Sequence, residues 1–317
     1  MKDNIVITDG FTLNPGDLSW KPFEGFGDIT YFDRTPHEKV AERCQGATII
    51  MTNKTPIDQE TIESAPNLKV IAVTATGYNI IDIKAAQSRN ILVCNVPGYG
   101  TDSVAQHTFA LLLELTNHVG INSHSVKDGA WAKCPDFCYS KAPLVELASR
   151  KMGLVGYGEI GQKVAEISKA FGMDVNYYSP SRIGKDPACI PLEKIFSSSD
   201  VVSLHCPLTP ENTGFVDQRM LAMMKPTSYL INTSRGQLIN ENDLAHALKD
   251  KVIAGAALDV LAQEPPLDTH PLTGLVNCII TPHNAWSSFA ARKRIMDTTY
   301  DNVKLALDGK PQHVVHG

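Results

Sequence analysis

The chain has 317 residues, of which 43% are apolar and 20% charged, and its formal net charge is −5. That is long enough for two domains with cores of their own, within the composition range of an ordinary globular protein. An acidic balance without any basic run argues against nucleic acid or a polybasic membrane surface as partner, and no apolar stretch reaches the length of a membrane span.

Seven cysteines, an odd and scattered number, do not form the pattern of a disulfide framework. Cys134 and Cys138 are the nearest pair, but no second pair or His stands at zinc-site spacing, so no metal is expected. The N-terminal run ending at Ile7 reads directly as a strand rather than as a secretion signal, and a cytoplasmic protein is the expectation.

Up to about residue 100, short β-type runs alternate with helical segments. The strands are expected at Asn4–Thr8, Asp28–Phe32, Ala47–Met51, Lys69–Val73 and Ile91–Asn95, and the helices at Pro36–Cys44, Asp58–Ser64 and Ile83–Ser88. Such alternation predicts a parallel sheet covered on both faces. Thr101-Asp102-Ser103 then leads into Val104–Leu113, which reads as a capped apolar helix leaving the first domain. Gly120–Arg150 reads as an irregular connection, and its Trp131, Pro135, Phe137 and Tyr139 are expected to pack on something, a second subunit being one candidate.

From Met152 a short apolar run ends in Gly156-Tyr157-Gly158-Glu159-Ile160-Gly161, followed by a helical face of Ile160, Val164, Ile167 and Phe171 and a strand at Met173–Tyr178. Strand, glycine turn, helix and strand together are the pattern of a dinucleotide site. The first glycine allows the tight turn, the second admits a pyrophosphate, and the third lets helix and strand pack closely. Further strands are expected at Val201–His205, Ser228–Thr233, Ile253–Asp259 and Cys278–Thr281, and a last helix from Ser287 to about Leu307 returns to the first domain. The fold class expected is α/β, with two doubly wound parallel-sheet domains. Residues 1–101 with 288–317 are expected to form a flavodoxin-like domain, and residues 102–287 a dinucleotide-binding Rossmann domain.

In open α/β sheets ligands bind beyond the carboxyl ends of the strands. Four such ends carry polar residues: Thr74–Asn79, Arg235, Glu264 and His283. Each alone has a plain alternative, namely a simple turn, a surface ion pair, a proline-stiffened loop and a structural His. Together they suit hydride chemistry. Arg235 would fork onto a substrate carboxylate. His283 would pass a proton to or from the carbonyl oxygen, and Glu264 would hold its other ring nitrogen and fix its tautomer.

At this point the chain resembles the D-isomer-specific 2-hydroxyacid dehydrogenases over nearly its whole length. The resemblance rests on Gly156–Gly161, Val202–Thr209, Ile231–Gly236, Ala257–Val260 with Glu264-Pro265-Pro266, and Thr281–Trp286. It implies catalytic roles for Arg235, Glu264 and His283, and substrate binding by Ala75, Thr76, Gly77 and Arg235. It also implies cofactor contacts at Thr76, Thr108, Gly156, Gly158, Glu159, Ile160, Gly161, Ser179, Ser181, Arg182, His205, Cys206, Pro207, Thr213, Thr233, Ser234, Arg235, Asp259, His283 and Ala285. Asp259 is the position expected near the nicotinamide carboxamide, and a homodimer built through the cofactor domain is implied as well.

Val96–Thr108 and Gly129–Tyr139 are similar to the glycerate dehydrogenase (hydroxypyruvate reductase) branch. The resemblance therefore implies reduction of hydroxypyruvate to D-glycerate and the reverse, with glyoxylate as a further substrate. Two alternatives stay open: the same chemistry on another 2-keto acid such as pyruvate, and a dinucleotide-sensing, corepressor-like binding protein. One departure bears on the cofactor. NAD-specific members carry an Asp at the end of the strand after the glycine helix, whereas this chain has Ser179-Pro180-Ser181-Arg182 there, with Lys185 close by. Asp174, at the start of that strand, is too far away to serve. A small Ser and a forked Arg suit a 2′-phosphate, so NADP is favoured over NAD.

Overall fold

The computed structural model describes residues 2–315. Its first strands and helices are β1 (Asp3–Ile7), β2 (Gly27–Tyr31), α1 (Val40–Cys44), β3 (Ile49–Thr52), α2 (Gln59–Ser64), β4 (Val70–Val73), α3 (Ile83–Ser88) and β5 (Leu92–Cys94). They form a five-stranded sheet in the order β2-β1-β3-β4-β5, and every pairing is parallel. This is the doubly wound order of flavodoxin-like sheets. All four residues of β3 and of β4 are buried, as central strands covered on both faces require. On one face Val6, Ile50, Ile71 and Val93 pack with Ile57, Ile62 and Ala86 from the crossover segments.

The chain continues through α4 (Thr101–Asn117), α5 (Val119–Lys127), β6 (Lys151–Val155), α6 (Glu159–Ala170), β7 (Asp174–Tyr178), α7 (Leu192–Ser198), β8 (Val201–Leu204), α8 (Gln218–Ala222), β9 (Tyr229–Asn232), α9 (Glu241–Lys249), β10 (Gly255–Leu258) and β11 (Cys278–Ile280). These strands form a second parallel sheet in the order β11-β10-β9-β8-β6-β7. The order reverses between β6 and β8, so the turn after β6 opens at the topological switch point, where such sheets bind ligands. Alternate residues feed two cores: Val202, Leu204, Leu230 and Leu258 face α7, α8 and α9, while Val201, Ile231 and Ala257 face α4 and α6. Beyond β7 a single parallel bridge, Tyr177 to Cys189, borders the sheet edge.

The last helix is α10 (Phe289–Leu307). Ser288 caps it by accepting from the Ala291 N–H at 3.2 Å, and it packs on β4. Buried Arg292 forks onto Asp17, both N–H···O distances being 2.7 Å, and donates to the Leu13 carbonyl at 3.1 Å. Past the helix, Val314 bridges Cys94 antiparallel, which covers the open edge of β5. Two compact units result: residues up to Tyr99 with those from Ser287 on, and Gly100–Trp286.

Helix starts follow the sequence where a short polar residue precedes them. Asp58, Asp82, Asp217 and Asn240 each accept a backbone N–H inside the first turn of α2, α3, α8 and α9. Each cap contributes about 1 kcal/mol.

The structure differs from expectation in three places. The cap predicted from Thr101-Asp102-Ser103 does not form: α4 starts one residue after Gly100 without a side-chain cap, and the Thr101 hydroxyl donates to Glu159 instead, at 3.2 Å. The connection at 120–150 is not wholly irregular, since α5 begins directly after His118, which adopts the left-handed φ of +51°. Val119, Ile121 and Val126 of α5 are exposed, so no buried stripe marks this helix in the sequence. Finally, the expected α6 face holds only in part: Val164 is buried and Ile160 and Ile167 pack half-buried on the same core, but the other fully buried positions are the small Gly161, Ala165 and Ser168, and Phe171 is exposed. Small residues let α4 and β6 approach closely, and Phe171 instead stacks on Phe109 at 5.2 Å.

Candidate active site

The glycine turn after β6 has the form that its three glycines were expected to give. Gly156 has φ of +100°, and a Cβ there would lie 2.5 Å from the His205 carbonyl carbon at the end of β8. A Cβ on Gly161 would lie 2.4 Å from the Gly156 oxygen, so helix and strand approach only with glycine in place. At Gly158, by contrast, nothing stands within 4 Å of a Cβ. Gly158 is also the N-cap of α6 and brings no side-chain oxygen to the first-turn N–H groups. An open helix N-terminus beside an empty glycine face fits the pyrophosphate of a dinucleotide.

Three neighbouring strand ends carry the polar residues. Leu258 of β10 pairs with Asn232 of β9 on one side and with Ile280 of β11 on the other. Arg235 therefore follows β9, Asp259 and Glu264 follow β10, and His283 follows β11. His283 Nδ1 lies 2.6 Å from Glu264 Oε2, while Glu264 Oε1 accepts the Leu261 N–H at 3.0 Å. His283 has φ of +50°, uncommon for a non-glycine residue and costly enough that its surroundings must enforce it.

The enforcement comes from the backbone and from Asp259. The His283 N–H donates to the Asp259 carbonyl at 2.8 Å and to the Thr281 carbonyl at 2.9 Å. The Asp259 carboxylate, 1% exposed, accepts from the Thr281 hydroxyl at 2.6 Å and from the N–H groups of Asn284 and Ala285 at 3.0 and 2.9 Å. The resemblance implies a place for Asp259 near the nicotinamide carboxamide; its carboxylate also ties down the loop that carries His283.

Arg235 is exposed, and its guanidinium donates to the Ser234 carbonyl at 2.7 Å. Among the described residues it has no carboxylate partner, which removes the plain alternative of a surface ion pair. Its backbone is fixed: the Asn232 side chain donates to the Arg235 carbonyl at 2.8 Å, and a Cβ on Gly236 would lie 1.9 Å from the Leu261 carbonyl carbon. Ser234 is tied to the Cys206 carbonyl at 2.6 Å and Thr233 to Thr108 at 3.1 Å, so these expected cofactor residues share one network. His205 bonds the Ser203 hydroxyl at 2.9 Å, and burial pushes its pKa down to about 4. Burial raises the Cys206 thiol to about 11, which leaves it inert as a nucleophile. Pro207 and Thr213 bracket the loop after β8, where the Thr213 hydroxyl donates to the Thr209 carbonyl at 3.1 Å.

The expected carboxylate loop lies in the first unit, after β4. The Ala75 carbonyl accepts from Val96, and the Thr76 carbonyl accepts the Asn95 side chain at 2.7 Å. The Thr76 and Gly77 N–H groups donate to nothing among the described residues. After β7, the turn Ser179–Arg182 closes through the Arg182 N–H to the Ser179 carbonyl at 3.0 Å, with the Ser179 and Ser181 hydroxyls 3.3 Å apart.

The profile of the D-isomer specific 2-hydroxyacid dehydrogenase NAD binding domain matches residues 109–285. The chain belongs to the D-isomer-specific 2-hydroxyacid dehydrogenases. This dehydrogenase is 44% identical to a hydroxypyruvate reductase of Blautia hydrogenotrophica, over 98% of this chain and 99% of that one. It is 40% identical to a glycerate dehydrogenase of Methylorubrum extorquens, over 88% of each chain. The crystal structure of an NADPH-dependent glyoxylate/hydroxypyruvate reductase from Sinorhizobium meliloti, in complex with NADP and malonate, superposes with a TM-score of 0.85. It is 25% identical, and the match covers 99% of this chain and 97% of that one.

Several residues around the dehydrogenase's candidate site carry little signal in the sequence. His107 Nε2, on α4, lies 3.0 Å from the Thr281 hydroxyl and 3.5 Å from Asp259 Oδ1. Glu241, at the start of α9, accepts the Ala262 N–H at 2.8 Å and meets His270 Nε2 at 3.1 Å, while Gln237 donates to the Ala262 carbonyl at 2.9 Å. These bonds hold the segment leading to Glu264 from both sides. Only the proximity of His107 to Thr108 in sequence offered any sign of this shell.

Proposed function

We propose that this dehydrogenase reduces hydroxypyruvate to D-glycerate and catalyses the reverse reaction, with glyoxylate as a second substrate. The observation that carries the reading is the His283–Glu264 pair and an Arg235 with no carboxylate partner among the described residues, at adjoining strand ends. The 44% identity to a hydroxypyruvate reductase supports the choice of substrate.

A bound nicotinamide dinucleotide supplies or accepts the hydride. Arg235 grips the substrate carboxylate through two parallel N–H···O bonds and so orients the adjacent carbonyl. His283, with Nδ1 engaged by Glu264, has Nε2 free to give a proton to the carbonyl oxygen during reduction, or to take it from the hydroxyl in the reverse direction. Asp259 positions His283 through the Thr281–Ala285 loop. The Thr76 and Gly77 N–H groups beside Ala75 form a cradle for carboxylate oxygens. Gly156, Gly158, Gly161 and the first N–H groups of α6 at Glu159 and Ile160 hold the pyrophosphate.

NADPH is the preferred reductant in this reading, because Ser179 and Ser181 leave space and hydroxyls for a 2′-phosphate and Arg182 supplies charge. The chain pairs as a homodimer through the cofactor domain, with residues 101–150 contributing, where the apolar side chains of Trp131, Leu144 and Phe137 (90% exposed) await cover. Light scattering at twice the 34.6 kDa of one chain is expected.

The test is the initial rate of NADPH and of NADH oxidation with hydroxypyruvate, glyoxylate and pyruvate. Hydroxypyruvate with NADPH is expected to give the highest kcat/KM. A higher value for pyruvate would move the assignment to another 2-keto acid. No turnover with any pair, alongside tight dinucleotide binding, would favour a binding protein.

A further inference from the structure

We propose that Tyr157, the residue between the first two glycines of the turn, is a specificity-determining residue whose ring holds Arg182 in place for the 2′-phosphate of the dinucleotide. The proposal rests on the NADPH reading above and names a residue that neither the glycine pattern nor the Ser179–Arg182 sequence singles out.

Tyr157 and Tyr177 stack face to face, with ring centroids 3.7 Å apart and planes within 6°. Tyr177 is the penultimate residue of β7 and is buried, and its hydroxyl donates to Asp186 at 2.6 Å. The lower ring is thus locked by a strand and by a hydrogen bond, and it fixes the upper ring in turn. The Arg182 guanidinium carbon lies 5.3 Å from the Tyr157 centroid, within cation–π range. The result is a stack built from three separate segments: the glycine turn, the end of β7 and the turn that follows it.

The stack matters because Arg182 has a competitor. Asp186 lies near enough for the Arg182 charge to help hold its carboxyl below the ordinary range, after the larger effects of the Tyr177 hydroxyl and the Ala188 N–H. A guanidinium on a flexible stem would pair with that carboxylate and turn its donors away from a ligand. Over the Tyr157 ring it makes no ion pair with Asp186 among the described residues, and its polar edge reaches the Tyr177 hydroxyl as well. Lys185, whose ammonium donates to the Ser181 carbonyl at 3.0 Å, adds a second positive charge at the same turn. An aromatic face orients a guanidinium without consuming its hydrogen bonds, which an acidic partner cannot do.

The experiment is isothermal titration of the full chain with adenosine 2′,5′-bisphosphate and, separately, with ADP. The wild type is expected to favour the bisphosphate, and Tyr157→Leu to shrink that preference about threefold to fivefold. Tyr157→Phe should retain it. Arg182→Ala should abolish it, and adding Tyr157→Leu to that background should change nothing further. Fluorinated phenylalanines at position 157 keep the shape and drain the negative ring face, so the preference should fall stepwise with fluorination in proteins that fold normally. An undiminished preference in folded Tyr157→Leu and in the fluorinated series overturns the proposal. So does a Tyr157→Leu effect that persists at full size without Arg182. A wild type that favours ADP overturns the NADPH reading, and this proposal with it.

Discussion

Glu264 Oε2 stands 2.6 Å from His283 Nδ1, and this contact decides which imidazole nitrogen is free to meet a substrate. A carboxylate that accepts from Nδ1 leaves Nε2 as the proton-transferring atom and fixes the ring plane. His283→Ala is therefore expected to lower kcat with hydroxypyruvate by roughly 10²–10⁴-fold while dinucleotide binding persists. Glu264→Gln, which keeps a hydrogen-bonding group but no charge, should lower kcat less. Initial rates with saturating cofactor measure both, and near-wild-type turnover of His283→Ala would remove the assignment.

Arg235→Lys separates charge from shape. A lysine keeps one positive charge at the end of β9 but cannot make the two parallel bonds of a guanidinium to a carboxylate. The expected loss is about 1.5–3 kcal/mol of transition-state stabilisation, roughly tenfold to hundredfold in kcat/KM, with KM for hydroxypyruvate rising. If kcat/KM holds while the variant stays folded, Arg235 is not gripping the substrate.

These residues were legible because each ends an apolar run of a parallel sheet, and parallel sheets collect their ligands at those ends. The alternation of strands and helices, and a last helix returning to the first segment, were legible for the same reason: buried strands are short, apolar and separated by helical periods. What the sequence hides is adjacency. Tyr157 lies 20 residues from Tyr177 and 25 from Arg182, and nothing in their spacing announces a stack. Glu241 and His270 meet only because α9 and the loop after β10 converge on Ala262. The α5 helix hides for another reason, since its apolar residues point outward and leave no stripe to detect.

The Glu241–His270 pair supports the segment leading to Glu264 rather than touching a ligand. Glu241→Ala would free the Ala262 N–H and leave the His270 ring without its acceptor, a loss of about 1–3 kcal/mol in stability. The looser segment should misplace Glu264, so kcat should fall about tenfold while KM for the cofactor changes little. Thermal unfolding and steady-state rates on one preparation check both halves. A drop in melting temperature with unchanged kcat would make the pair purely structural.

His205 gives the fold a pH dependence of known sign. Burial depresses its pKa from 6.5 to about 4 in the folded chain, beside the Ser203 hydroxyl at 2.9 Å. Between those values the unfolded chain binds a proton at this ring and the folded chain does not, so stability rises with pH across the window. Acidification from about 6.5 to about 4 should therefore weaken the wild type more steeply than His205→Asn, and the two curves should run parallel above that range. Urea titrations of the cofactor-free protein at a series of pH values measure the difference directly. Parallel curves throughout would mean that the ring is solvated enough to take up its proton without unfolding.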